Sequence, residues 1–170
     1  GVLAKLLAAD FPGAAALREQ CKSVWTQPAH IDGMLHWKLR VQLPVPNAAV
    51  KYGVPVEGSA LMDGGVEVHV VLRVNNGQLA RLEIFRIDGA ALGQPPAPEA
   101  ITVLVPAPLD AWASAVLGKL LAPTYPGVEA LRVQAASVEG RNLDTGTGLM
   151  VYLYVAESNG IATVATRVPG

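Results

Sequence analysis

The chain has 170 residues, 51% of them hydrophobic, which is enough to bury a core and too apolar for a disordered tail. Its formal net charge of −1, with no run of like charge, excludes the concentrated Lys/Arg surface of a dedicated nucleic-acid binder and the basic stretch of a membrane-surface binder. Aromatic residues make up only 5%, so Val, Leu and Ala must do most of the packing.

The opening GVLAKLLAADFPG is too short and too soon interrupted for a signal peptide, and nothing later approaches the eighteen or so unbroken apolar residues of a membrane span. Val2, Leu3, Leu6 and Leu7 instead follow helical spacing, and Phe11-Pro12-Gly13 ends that helix because proline cannot continue it. Good helix formers then predict a second short helix over Ala14 to Gln20. Cys21 is the single cysteine, which excludes an internal disulfide and a multi-cysteine metal site and fits a reducing, cytoplasmic compartment. The segment carrying His30 and Asp32 reads as a loop entering a strand. In that strand Leu35, Trp37, Leu39 and Val41 alternate with His36, Lys38, Arg40 and Gln42.

The clearest hairpin lies in the middle of the chain. Val66, Val68, Val70, Leu72 and Val74 alternate up to Asn75-Asn76-Gly77, whose Asn-Gly supplies the positive φ angles of a tight turn, and Leu79 to Ile87 returns. Pro95-Pro96-Ala97-Pro98 and Pro106-Ala107-Pro108 bracket a short strand, Ile101 to Val105, and read as a linker into the last third of the chain. There Leu109, Trp112, Val116 and Leu120 form a helical stripe, broken by Tyr125-Pro126-Gly127 before a helix from Val128 to Gln134. A strand alternates Leu149, Val151, Leu153 and Val155 with Met150, Tyr152 and Tyr154. Asn159-Gly160 then signals a turn into a strand over Ile161 to Val168. The fold class is α+β: an antiparallel sheet with helices packed on one face.

The last third repeats the first. At a fixed offset of 114, residues 5–24 and 119–138 share 12 of 20 positions, where roughly one or two would coincide by chance. Lys5-Leu6-Leu7-Ala8 falls on Lys119-Leu120-Leu121-Ala122, Pro12-Gly13 on Pro126-Gly127, and Ala16-Leu17-Arg18 on Ala130-Leu131-Arg132. The register continues through Leu35, Leu39 and Val41 on Leu149, Leu153 and Val155 to Val54-Pro55 on Val168-Pro169. The chain therefore divides into a complete unit over 1–107 and a partial second copy of its first half over 108–170. The copy is expected to be completed by chain beyond Gly170, by the first unit or by another molecule.

Asp10-Phe11-Pro12-Gly13 with Leu17-Arg18 and Gln20, and Val54-Pro55-Val56-Glu57-Gly58 with Asp63-Gly64, His69-Val70-Val71-Leu72, Leu82-Glu83-Ile84-Phe85-Arg86 and Asp88-Gly89, carry a resemblance. Over residues 3–104 the chain resembles an uncharacterised bacterial domain family of the actinobacterial type, with "DFPGxxxLRxQ" and "VPVEG…HVLLHV…LELEIYR" segments. It departs at Arg73, where that pattern tends to His, and at Arg81, where it tends to Glu. The resemblance implies a fold unit and carries no activity.

Few constellations carry chemistry. Asp144-Thr145-Gly146 spells the aspartic-peptidase triplet, but that chemistry needs a second carboxylate and the repeat sets His30 opposite Asp144, so a turn is the better reading. His30, Asp32 and His36 lack zinc-site spacing and read as surface residues. His69 and Glu83 are plausible neighbours across the hairpin, able to do acid–base work with Glu57 or to serve as an ordinary cross-strand pair. Met150, Tyr152 and Tyr154 on one strand face suit a protein interface. The expected function is a non-catalytic protein-interaction module, binding another protein or itself, with no cofactor, metal, nucleic acid or membrane. The alternative is a small-molecule-binding or hydrolytic domain whose site is His69, Glu83 and Glu57.

Overall fold

The computed structural model describes residues 1–31, 33–42, 44–50, 53–108, 111–135, 139–144, 148–154 and 164–169, with side chains described as far as residue 135 except those of His30, Trp112 and Gln134. The chain divides into two compact units, Gly1–Val105 and Pro106–Gly170.

In the first unit, α1 (Val2–Leu7) buries Leu6 and Leu7, and α2 (Ala14–Cys21) buries Ala14, Leu17 and Gln20. The corner between them depends on Gly13, whose φ of +88° is left-handed and which has Val50 and Ala49 packed against it. Arg18 closes the corner. Its Nε donates to the Leu7 carbonyl at 2.6 Å and its Nη2 to the Ala9 carbonyl at 2.7 Å, satisfying carbonyls that the end of α1 leaves orphaned.

Six strands form one antiparallel sheet: β1 (Val24–Ile31), β2 (Met34–Val41), β3 (Val56–Met62), β4 (Val66–Asn75), β5 (Gln78–Arg86) and β6 (Thr102–Leu104), in spatial order β1-β2-β5-β4-β3-β6. Strand alternation sorts the side chains by face. Leu39, Val56, Ala60, Val68, Val70, Leu72, Leu82 and Ile84 join Leu6, Phe11 and Leu17 in the core. Gly58 lies in that face because a Cβ there would meet Ile101 at 2.5 Å and Leu6 at 3.2 Å. The β4–β5 turn has positive φ at Asn76 and Gly77, as its Asn-Gly sequence predicts.

Two expectations need correction. Residues 24–31, read partly as a loop, form strand β1; Pro28 obscures the pattern and is tolerated because β1 is an edge strand. His36, read as a surface residue, lies on the expected face of β2 but is buried at 4% exposure.

The second unit contains α3 (Ala111–Leu121), α4 (Val128–Ala135) and a sheet ordered β10-β9-β8-β7, with β7 (Ala107–Pro108), β8 (Glu139–Asp144), β9 (Gly148–Tyr154) and β10 (Val164–Pro169). Ala107-Pro108, expected as linker, pairs with Gly140 and Glu139. The corner geometry matches that of α1 and α2. Gly127 also has φ +88°, Arg132 Nε donates to the Leu121 carbonyl at 2.9 Å, and its Nη2 donates to the Ala122 carbonyl at 3.1 Å. One pairing differs: Val168-Pro169 lie in β10 against Leu149 and Gly148, whereas Val54-Pro55 precede β3 outside any strand. Asn159-Gly160 and residues 145–147, including the rest of the Asp-Thr-Gly triplet, lie outside the described residues. Among the described residues no helix is long and apolar enough to cross a membrane.

Candidate functional site

The sheet face turned away from α1 and α2 carries the polar side chains. Directly paired residues point the same way, so the pairing His36↔Glu83, Glu83↔Val71 and Val71↔Glu57 lays one row across β2, β5, β4 and β3. His69 stands two residues along β4 from Val71, opposite Phe85 and Ser59. The structure thus brings Glu57, His69 and Glu83 to one face, and all three are buried.

Glu57 and Glu83 are two strands apart, a backbone separation of about 9–10 Å at the usual strand spacing. The Glu83 carboxylate accepts from Arg73 Nε at 2.8 Å. His69 Nε2 lies 3.4 Å from Glu67 Oε1, and its ring packs on Phe85 at 5.7 Å between centroids. Glu83 and His69 thus each have a charged side chain beside them. Among the described residues a cavity of about 470 Å³ lies at the β3–β4 turn and the 91–94 loop, lined by Met62, Asp63, Val66, Arg86, Leu92 and Gln94 among others. Near it the Arg86 guanidinium, followed by the Ala90 N–H, holds the Asp88 carboxyl below the usual carboxylate range.

The Met150, Tyr152 and Tyr154 backbones lie in β9, opposite Leu143, Arg141 and Glu139; their side chains lie outside those described. Asp32 also lies outside the described residues, and among those described no group of three His, Cys, Asp or Glu is placed to hold a metal. Burial pushes the Cys21 thiol pKa up, which suits a packed residue better than a nucleophile.

Sequence reasoning missed three features. Gln20 is a fully buried clamp: its Nε2 donates to the Pro46 and Gly77 carbonyls at 3.0 and 2.8 Å, and its Oε1 accepts from the Leu79 N–H at 2.9 Å. His36 is buried with neither ring nitrogen hydrogen-bonded. Arg73 and Arg81, the two departures from the resembled pattern, face each other directly across β4 and β5. Alternation indicated the face of each; only pairing register reveals what stands beside it.

Comparison of the chain with protein-family models, with curated proteins and with solved structures finds no match in any of the three.

Proposed function

We propose that this is a non-catalytic protein-binding module, built by duplicating the first half of an α+β unit, in which the partial second copy presents a surface for another polypeptide. One observation carries the reading. At the offset of 114, Leu6, Phe11 and Leu17 correspond to Leu120, Tyr125 and Leu131. The first three are buried at 0, 7 and 0% exposure; their counterparts are exposed at 48, 38 and 38%.

In the first unit these residues pack in a core with side chains of β3, β4 and β5. The same side chains on α3 and α4 stand at the surface. Exposed apolar side chains gathered on one element pair favour association, since burial recovers roughly 25 cal/mol per Å². Matching corner hydrogen bonds of Arg18 and Arg132 and matching φ angles at Gly13 and Gly127 support duplication. The paired DFPG and VPVEG segments support membership of the resembled bacterial family, and the lone cysteine supports a cytoplasmic location.

The hydrolytic reading is favoured by one observation, that Glu57, His69 and Glu83 share a face. The Arg73–Glu83 pair, which engages one of the three carboxyl and imidazole groups, favours binding over catalysis.

Photocrosslinking tests the module. A benzophenone amino acid at Leu131 is expected to give discrete adducts, with a second copy or a different protein, that the same probe at exposed Lys22 does not. Equal yields from both positions would remove the basis for the proposal.

A further inference from the structure

We infer that the outer face of the first unit carries a second, independent site, formed by Trp25, Lys38, Arg40 and Arg81, that binds an extended acidic polypeptide segment. This goes beyond the apolar surface on α3 and α4 and does not depend on it.

Strand pairing assembles the site. Trp25 of β1 stands opposite Arg40 of β2, Gln27 opposite Lys38, Lys38 opposite Arg81 of β5, and Arg81 opposite Arg73 of β4. All point to the face away from α1 and α2, with Cβ atoms of directly opposite residues about 4.5–5.5 Å apart. Arg73 is neutralised by Glu83 at 2.8 Å. Lys38, Arg40 and Arg81 are exposed, and among the described residues they make no ion pair and no side-chain hydrogen bond. Trp25 is 46% exposed beside them.

Like charges directly opposite each other on a sheet destabilise it. Lys38↔Arg81 is such a pair, in a row whose third cation, Arg73, is neutralised, in a chain whose 13 basic and 14 acidic residues offer ample means of balancing it. Folding is not served by that row, whereas an anionic ligand is. Lys38 and Arg40 are two residues apart on one strand, so their side chains project about 6.5–7 Å apart on the same face. An extended peptide with Glu or Asp at alternate positions presents carboxylates at the same interval. Trp and Arg are also the side chains that anchor protein interfaces most strongly. A nucleic acid fits less well: three cations release few counterions, and the chain as a whole is slightly negative.

The test uses the full chain and fluorescence anisotropy with a labelled peptide of alternating Glu and Thr, its Gln-for-Glu counterpart, and oligo(dT). The Glu peptide is expected to bind, to weaken as salt rises, and to lose at least about tenfold in affinity, or 1.4 kcal/mol, with Lys38→Glu or Arg81→Glu. Lys22→Glu, at the residue that follows α2, should leave binding unchanged. Because Lys38→Glu also replaces a like-charge pair by an opposite-charge pair, it should raise the melting temperature while weakening binding, a combination that damage to the fold cannot produce. Equal binding of the Glu and Gln peptides, or indifference to both reversals, overturns the inference. So does tighter binding of oligo(dT) lost in the same variants, which would make the face a nucleic-acid surface. None of these outcomes touches crosslinking from Leu131, so the two surfaces stand or fall separately.

Discussion

Replacing Gln20 with Ala removes one fully buried side chain that ties three chain segments together. The amide of Gln20 donates to carbonyls at Pro46 and Gly77 and accepts from the Leu79 N–H, so α2 is joined to the segment around Pro46 and to the β4–β5 turn. Each of the three bonds is worth about 1 kcal/mol net, and the Leu79 N–H left buried without its acceptor adds about 1–3 kcal/mol more. The expected loss is about 4–6 kcal/mol, a large part of the roughly 5–15 kcal/mol typical of a whole domain. Gln20→Glu should do no better, because a carboxylate cannot donate to the two carbonyls. Native-state amide exchange reads the effect where it arises. The Ala48 N–H donates to the Gly77 carbonyl at 2.7 Å, and exchange at Ala48 and Leu79 should accelerate about 1,000-fold or more. The amides of α1, held through Arg18, serve as the internal reference. If exchange at Ala48 and Leu79 stays within about threefold of wild type and the urea midpoint barely moves, Gln20 is not the clamp described.

Other perturbations separate the remaining claims. Gly77→Ala should cost more than Gly64→Ala in a urea titration: both have positive φ, worth about 1–2 kcal/mol, but only at Gly77 would the new Cβ meet a neighbour, the Ala48 carbonyl oxygen at 2.6 Å. His36→Leu should stabilise the chain by about 1–2 kcal/mol by removing two buried unbonded nitrogens, and a loss of that size would show that the imidazole makes a contribution its contacts do not reveal. Burial raises the Cys21 pKa, so its thiol stays protonated through neutral pH. Its alkylation by iodoacetamide should be slower than that of a free thiol at pH 8 and should gain on it only at higher pH; rapid modification at pH 7 contradicts this.

How much the sequence revealed depends on how local the cause was. The Phe-Pro-Gly corner, the Asn75-Asn76-Gly77 hairpin and the two faces of β2 and β4 follow from residues within a few positions of one another, and each was legible. β1 was not, because Pro28 in its middle speaks against a strand, and only its place at the sheet edge removes the objection. Arg18 and Gln20 were visible as parts of a motif, but their partners lie 9 to 11 and 26 to 59 positions away, so nothing nearby disclosed that both are structural.

Taken alone, the sequence determined an α+β chain with an antiparallel sheet, the turns that shape its β4–β5 hairpin, and the identities shared at an offset of 114. Hydrophobic period, glycine and proline are short-range properties, and they carry that much. Tertiary structure decided which strands are neighbours and in what register, and with them the buried row of Glu57, Glu83 and His36 and the ladder of Lys38, Arg81 and Arg73. Alternation tells which way a side chain points; what faces it across the sheet is set by pairing between distant segments, where a slip of one residue would exchange the two faces.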